Sequence, residues 1–377
     1  MRLAFAPIPK ARFLPTQKRA FLRLRVQDRS LIVQHTENTN IDDTLARGRS
    51  RTRARCGAVS SFKQGLYHRG SGAARPISFF LSREFTMPIV RALFVYPVKS
   101  CGAIALDDAQ LGLKGIEWDR HWMVADENGR FVTQRQYAAM ARIVPAFVED
   151  GVRLTMEGMS EALHLPFAQR GGEARVPATV WDDDFEALDE GDHAAQWFTQ
   201  AIGVPVRLLR FAHDVTRLAS KKWTNGEDAP TQFADGFPIL VTSEASLAQL
   251  NERLAAKGAP PVPMARFRPN IVVGDIGDAF EEDFIDTLTI ESATGGEEVV
   301  LRFVKPCARC PITTIDQLSG ERDAQWPTEP LDTLAVFRAD PRVDGGLTFG
   351  QNAMVVTGAG KHVTVGARAE WEYRFDD

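Results

Sequence analysis

A chain of 377 residues is long enough for two domains with cores of their own. Its 44% hydrophobic and 25% charged residues are ordinary for a globular protein, and no apolar run reaches the length of a membrane span. Four cysteines, two of them in one short stretch, make no disulfide framework, so a reducing, cytoplasmic setting is expected.

The net charge of −4 hides a split: residues 1–86 carry 17 Lys or Arg against 5 Asp or Glu, leaving −16 for the rest. That basic segment lacks sustained periodicity and reads in three ways. It is a nucleic-acid arm, an Arg-rich organellar leader, or a stretch outside the working protein, with translation starting at Met87. The third is preferred, because a strand pattern begins directly after Met87. In each case a segment without a packed core is expected to be disordered. The acidic balance of the remainder argues against nucleic acid as a partner.

Residues 88–96 form a buried-strand pattern that runs into a turn bearing Lys99 and Ser100. A lysine at a strand end is by default a solvated charge. Asn128-Gly129, between apolar runs at 119–126 and 131–135, predicts a hairpin. Short strands are expected at 152–156, 163–167 and 179–181. Asp192 is expected to cap a helix over 193–202 that stops at Gly203. A strand at 205–211 and a long loop at 213–236 follow; loops of that length are usually functional or disordered. Next come a strand at 237–242 and a helix from the Ser243 cap to Lys257, with Leu247, Leu250 and Leu254 on one stripe. Further strands are expected at 271–273, 287–291, 299–304, 353–357 and 363–369. The pattern is β-dominated with few helices.

The densest chemistry lies in Lys305-Pro-Cys307-Ala308-Arg309-Cys310-Pro311-Ile-Thr-Thr-Ile-Asp316. Pro306 and Pro311 are expected to stop the preceding strand and hold the thiols in a loop. Lys305 and Arg309 sit beside them, and nearby cations favour the thiolate. Half a zinc site would need a second Cys or His pair at metal spacing, which the sequence lacks. A redox pair would open a helix, against which Pro311 and the β-branched run argue. Two buried, inert cysteines are the plain alternative, weakened by the flanking charges. A thiolate serving as a metal or cofactor ligand is the preferred reading.

Tyr96-Pro-Val-Lys-Ser100, Asp119-Arg120, Val132-Thr-Gln-Arg135, Ser243-Glu-Ala-Ser-Leu247, Phe267-Arg-Pro-Asn270, the stretch Cys307 to Asp316, Glu329-Pro-Leu331 and Phe349-Gly-Gln351 stand in one order. In that order they resemble the MOSC-domain family, and within it the mitochondrial amidoxime-reducing components and their bacterial relatives. The resemblance covers residues 88 to about 370. It implies an α+β, β-dominated fold, with an N-terminal β-barrel-like domain over 88–210 and a MOSC β-barrel domain over 211–375. It also implies a molybdenum cofactor (Mo-molybdopterin) with Cys310 as metal ligand and catalytic residue. Lys99, Ser100, Arg120 and Arg268 match residues that hold the anionic cofactor. Asn270, Ala308 and Arg309 lie beside the matched ligands, Asp235 and Phe237 match loosely, and Asn352 falls where relatives can carry an aromatic residue.

The implied activity is reduction of N-hydroxylated small molecules such as amidoximes, hydroxylamines and N-hydroxylated bases. The alternative is a carrier or sulfur-delivery module for the cofactor. Some relatives carry a ferredoxin domain whose cysteines are missing here. Electrons are therefore expected from a separate protein: a ferredoxin, a b-type cytochrome or a flavoprotein reductase.

Overall fold

Strands set the architecture of residues 87–293 and 298–374, which are those that the computed structural model describes. The expectations for residues 1–86 lie outside them. The largest element is a nine-stranded sheet. Its path runs Ile104–Leu106, Ile89–Val95, Ile271–Gly274, Ile239–Ser243, Gly346–Thr357, Glu298–Ala308, Ile285–Glu291, Ala369–Tyr373, and Ala339-Asp340 adds to Gly346–Thr357. The first strand of the described chain therefore pairs far along the sequence, antiparallel to Ile271–Gly274. A register shift between Val90 and Ala92 changes its phase, so Val90 and then Leu93 and Val95 point inward. These three pack with Val241, Ile271, Leu301 and Phe303 in one core.

The intervening chain builds smaller sheets. Trp122–Ala125, Arg207–Arg210, Asp183–Asp189 and Arg175–Val180 form one of four strands, and Val144–Val148, Gly151–Thr155 and Leu163–Pro166 one of three. The helix Asp192–Ile202 places Ala194, Trp197 and Phe198 against Trp122 and Leu208. The helix Glu244–Ala256 begins where the Ser243 hydroxyl accepts the Ser246 amide, a cap worth about 1 kcal/mol. No helix among the described residues is long and apolar enough to cross a membrane.

The β-dominated class holds. Several local expectations do not. Asp192 is the first helical residue rather than its cap, and its carboxylate accepts Arg207 Nη2 at 3.1 Å. The expected strand at 363–369 breaks at Gly366, whose φ of 88° only glycine adopts freely. Lys361–Thr364 and Ala369–Tyr373 then join different sheets. Pro306 does not stop its strand: Glu298–Ala308 runs through it, with a register shift beyond Pro306 where the missing N–H is tolerated. Residues Pro311–Thr314 form a short 3-10 turn despite their branched side chains. The hydroxyls of Thr313 and Thr314 donate back to the carbonyls of Cys310 and Pro311, at 3.0 and 2.8 Å. Around Asn128-Gly129 the chain does reverse, but Phe131 contributes only an isolated bridge to Ala125. The loop at 213–236 contains one short pairing, Arg217-Leu218 with Pro230-Thr231.

Candidate functional site

After Val95 the first strand leaves the large sheet, and Val98 bridges in parallel to Trp122 of the four-stranded sheet. Tyr96 to Ser100 therefore sit at a seam. A cleft opens there, lined by Lys99, Ser100, Arg120, Thr133, residues 234–237, Leu240, Phe267, Arg268, Asn270, Cys307, Arg309, Cys310, Ile312 and Asn352. It holds about 730 Å³ of empty space when its open mouth is included, of which the enclosed cavity is about 120 Å³.

Lys99 is not the solvated charge that its local pattern predicts: it is 4% exposed. Its Nζ donates to the Phe233 carbonyl at 2.7 Å and to Asp235 Oδ1 at 2.5 Å. Burial pulls its pKa below the ordinary lysine range, and the Asp235 charge works the other way. For Asp235, burial acts to raise the pKa, but Lys99, with Arg135 and Arg120 behind it, holds the carboxyl below the usual range. The Asp235 side chain remains 58% exposed at the mouth. Its loop is held by Arg217, which donates to the carbonyls of Gln232, Ala234 and Asp235 at 2.9, 2.6 and 3.2 Å.

Arg120 and Arg268 both lie over the Tyr96 ring, at 4.2 and 4.3 Å from its centre. Burial pushes the Tyr96 hydroxyl up to about 12, against the pull of the two arginines. Arg120 Nη1 donates to Asp119 Oδ2 at 2.5 Å and to Asn270 Oδ1 at 3.2 Å. Arg268 Nη1 donates to Gln317 Oε1 at 3.0 Å, and burial lowers its pKa to about 10. Gln317 in turn pairs amide to amide with Gln134, which donates to the Ser100 carbonyl at 2.8 Å. Ser100, Arg120 and Arg268 have φ of 67°, 47° and 55°. Each left-handed non-glycine residue costs on the order of 1–2 kcal/mol and persists only where neighbours hold it.

Two donors of the cleft are left over: Arg268 Nη2 and Arg309 Nε are buried and have no partner among the described residues. A buried orphan donor costs about 1–3 kcal/mol unless something else meets it. Counting Lys99, Arg120, Arg268 and Arg309 against Asp119 and Asp235, the cleft has two positive charges in surplus. That donor set asks for an anion.

Both thiols reach the cleft, and they differ in a way the sequence does not reveal. Arg309 Nη1 donates to Cys307 Sγ at 2.7 Å, and Nη2 to the Phe267 carbonyl at 2.6 Å. Cys307 is half-buried and engaged, not an inert packing residue. The Cys310 sulfur lines the same wall and has no hydrogen-bond partner among the described residues. No group of three His, Cys, Asp or Glu placed to hold a metal occurs among the described residues.

Of the residues named from the resemblance, Lys99, Ser100, Arg120, Asp235, Phe237, Arg268, Asn270, Arg309, Cys310 and Asn352 share this cleft. Ala308 does not line it: along the strand it points opposite to Cys307 and Arg309 and is exposed. The Asn270 amide is largely committed to protein, accepting from the Leu240 amide at 3.1 Å and donating to the Phe94 carbonyl at 3.3 Å. Tyr96, Asp119, Thr133, Gln134 and Gln317 support the site and were given no role in advance. The first four lie inside recognised motifs, which is the signal that was there to use.

The seam thus joins two β-rich parts around a cationic cleft with a thiol wall. Residues 87–205 match the model of the MOSC N-terminal beta barrel domain, and residues 228–370 that of the MOSC domain. The chain belongs to the MOSC-domain family. Mitochondrial amidoxime reducing component 2 of Bos taurus is 36% identical over 260 residues, covering 67% of this chain and 73% of the relative. Mitochondrial amidoxime-reducing component 1 of Xenopus laevis is 36% identical over 262 residues, with 66% and 71% covered. The human component 1 is 33% identical over 267 residues, with 67% and 73% covered.

Proposed function

We propose that this chain is a molybdenum-cofactor-dependent reductase of N-hydroxylated compounds. The observation that carries the reading is the cleft: a surplus of cations with donors unmet among the described residues, beside a thiol that no described residue engages. Relatives named for amidoxime reduction support it. The residues fit the cofactor. Arg268 and Arg309 offer unmet N–H groups to an anion, and charge-assisted bonds of that kind are the strong ones. Lys99 and Arg120 add charge on the facing side, each steadied by a carboxylate. Cys310 would be the protein ligand, since a thiolate suits a soft metal centre. When bound, the cofactor would supply the two-electron redox chemistry.

The chain's own residues then bind, orient and charge-balance. Gln134 and Gln317 hold Ser100 and Arg268 in their strained conformations. Arg309 keeps Cys307 occupied, so that the two thiols do not compete. In the net reaction the N–O bond of an amidoxime breaks, two electrons and two protons enter, and an amidine and water leave. A separate electron-transfer protein supplies the electrons, and the working location is the cytoplasm.

The test is molybdenum and pterin analysis of the purified chain, followed by benzamidoxime turnover with a reduced dye. Stoichiometric metal with amidine formation is the expected result. Metal without turnover, with cofactor passing to an apo-enzyme, would favour the carrier alternative.

A further inference from the structure

We propose that Trp181 forms a stacking platform at the rim of the cleft for the flat ring of an aromatic or heteroaromatic substrate. The proposal rests on the reductase reading and assigns a residue of this chain to recognition of the substrate's ring.

Val180 pairs with Asp183, which leaves Trp181 and Asp182 as a two-residue hairpin loop. Trp181 has φ of 57°. The first position of such a loop needs positive φ and is normally glycine, asparagine or aspartate. A bulky residue there is an outlier, and strain of this kind gathers at functional sites. The indole is not fixed by burial in a core, because the residue is 41% exposed. The Arg135 guanidinium lies 4.6 Å from the indole centre, and the Phe131 ring 5.1 Å away.

Both neighbours lead to the cleft. Phe131 is buried, and Lys99 Nζ lies 5.2 Å from its ring centre. Arg135 Nε donates to Thr133 Oγ1 at 3.3 Å, and Thr133 lines the cleft. The hairpin is also tied to the opposite wall. Asp183 Oδ2 accepts Arg217 Nε at 2.7 Å, and Arg217 holds the carbonyls of Gln232, Ala234 and Asp235. Among the described residues Arg135 forms no ion pair; its guanidinium lies over the rings of Phe131 and Trp181, and its charge reaches Asp235 at the cleft mouth. A tryptophan face backed by a guanidinium, beside a cationic cleft, suits a flat π-system rather than a short aliphatic chain.

The test is calorimetric binding of benzamidoxime and acetamidoxime to the cofactor-loaded chain and to W181G and W181F. Glycine accepts the positive φ, so W181G should keep the melting temperature while losing the ring. Benzamidoxime binding should weaken by about tenfold in W181G and by less than about threefold in W181F, with acetamidoxime affinity moving less than about twofold in either. The platform is overturned if W181G binds benzamidoxime as the wild type does, if both compounds weaken alike, if W181F is as weak as W181G, or if the wild type shows no saturable benzamidoxime binding. Wild-type binding without reduction of either compound would sink the reductase reading and leave the platform standing.

Discussion

Two buried arginine clusters in this molecule use the same residue types to opposite ends. In the N-terminal part, Arg210 is 1% exposed and every one of its nitrogens has a partner: Glu190 at 2.6 Å, the Phe167 carbonyl at 2.9 Å and the Pro166 carbonyl at 2.6 Å. Glu190 is itself filled, accepting from Trp122 Nε1 at 2.6 Å and Arg170 Nη2 at 2.8 Å. At the seam, Arg268 and Arg309 each keep a buried nitrogen without a partner among the described residues, and the local charge stays positive. The first cluster is closed and has nothing left to offer a ligand. The second is open, strained at three backbone positions, and lacks partners that the described residues do not supply. Burial of charge alone does not mark a site; unmet donors and surplus positive charge gathered in one cleft do.

The comparison is sharpened most by the thiols of the open cluster. Cys310→Ser should lower amidoxime turnover by more than about a hundredfold, since a hydroxyl is a poor soft-metal ligand. Cys307→Ser should keep much of the activity, because the Cys307 sulfur is engaged by Arg309. Turnover with a reduced dye, beside the metal-to-protein ratio, reads both. The reverse order would mean that the engaged thiol is the ligand, and equal losses would favour a redox or sulfur-carrier pair. In the closed cluster, Glu190→Ala strands Arg210 in the interior, a loss on the order of 3–5 kcal/mol. Urea unfolding measures it; a shift near zero would show that the cluster is not closed after all.

A third buried group is closed around a carboxyl whose affinity for a proton is raised. Glu282 is fully buried and accepts from the hydroxyls of Ser243 and Ser246 at 3.0 and 2.8 Å. Burial, with the Asp283 charge adding to it, pushes its pKa up from 4.5 to about 7. A folded pKa above the unfolded one favours the protonated form. That stability is fully present below about pH 4 and is lost as pH rises through 7. Glu282→Gln should therefore flatten the profile and stabilise the chain at pH 8 by something on the order of 3 kcal/mol. Melting curves from pH 4 to 8 check it, and parallel curves for both proteins would refute the assignment.

What could be read in advance followed the range of the interactions. The helix Glu244–Ala256 was legible because its cap, its leucine stripe and its Gly258 stop are all local. That the strand Ile89–Val95 joins the sheet of the second half was not, because its partner Ile271–Gly274 lies far along the chain. The cleft residues were reached through motif order, but their conformations were not. No glycine marks Ser100, Arg120 or Arg268, and only the amide pair of Gln134 and Gln317 explains how two of them are held. The burial of Lys99 depends on the Phe233 carbonyl and Asp235, in a loop with little regular structure to betray it. The contact of Arg309 with Cys307 depends on the strand running through Pro306 to Ala308 and on the register shift beyond Pro306, neither of which a local pattern signals.

The most direct measurement is cofactor retention and thermal stability of Arg268→Ala, made side by side. An open cluster holds its cations for a ligand, so removing one should weaken cofactor binding by more than about tenfold, through charge-assisted bonds worth about 1.5–3 kcal/mol each. The melting temperature of the ligand-free chain should stay level or rise, because a buried positive charge and an orphan donor are gone. Full molybdenum and pterin occupancy under dilution, with a large fall in melting temperature, would place Arg268 in the same class as Arg210 and contradict the account.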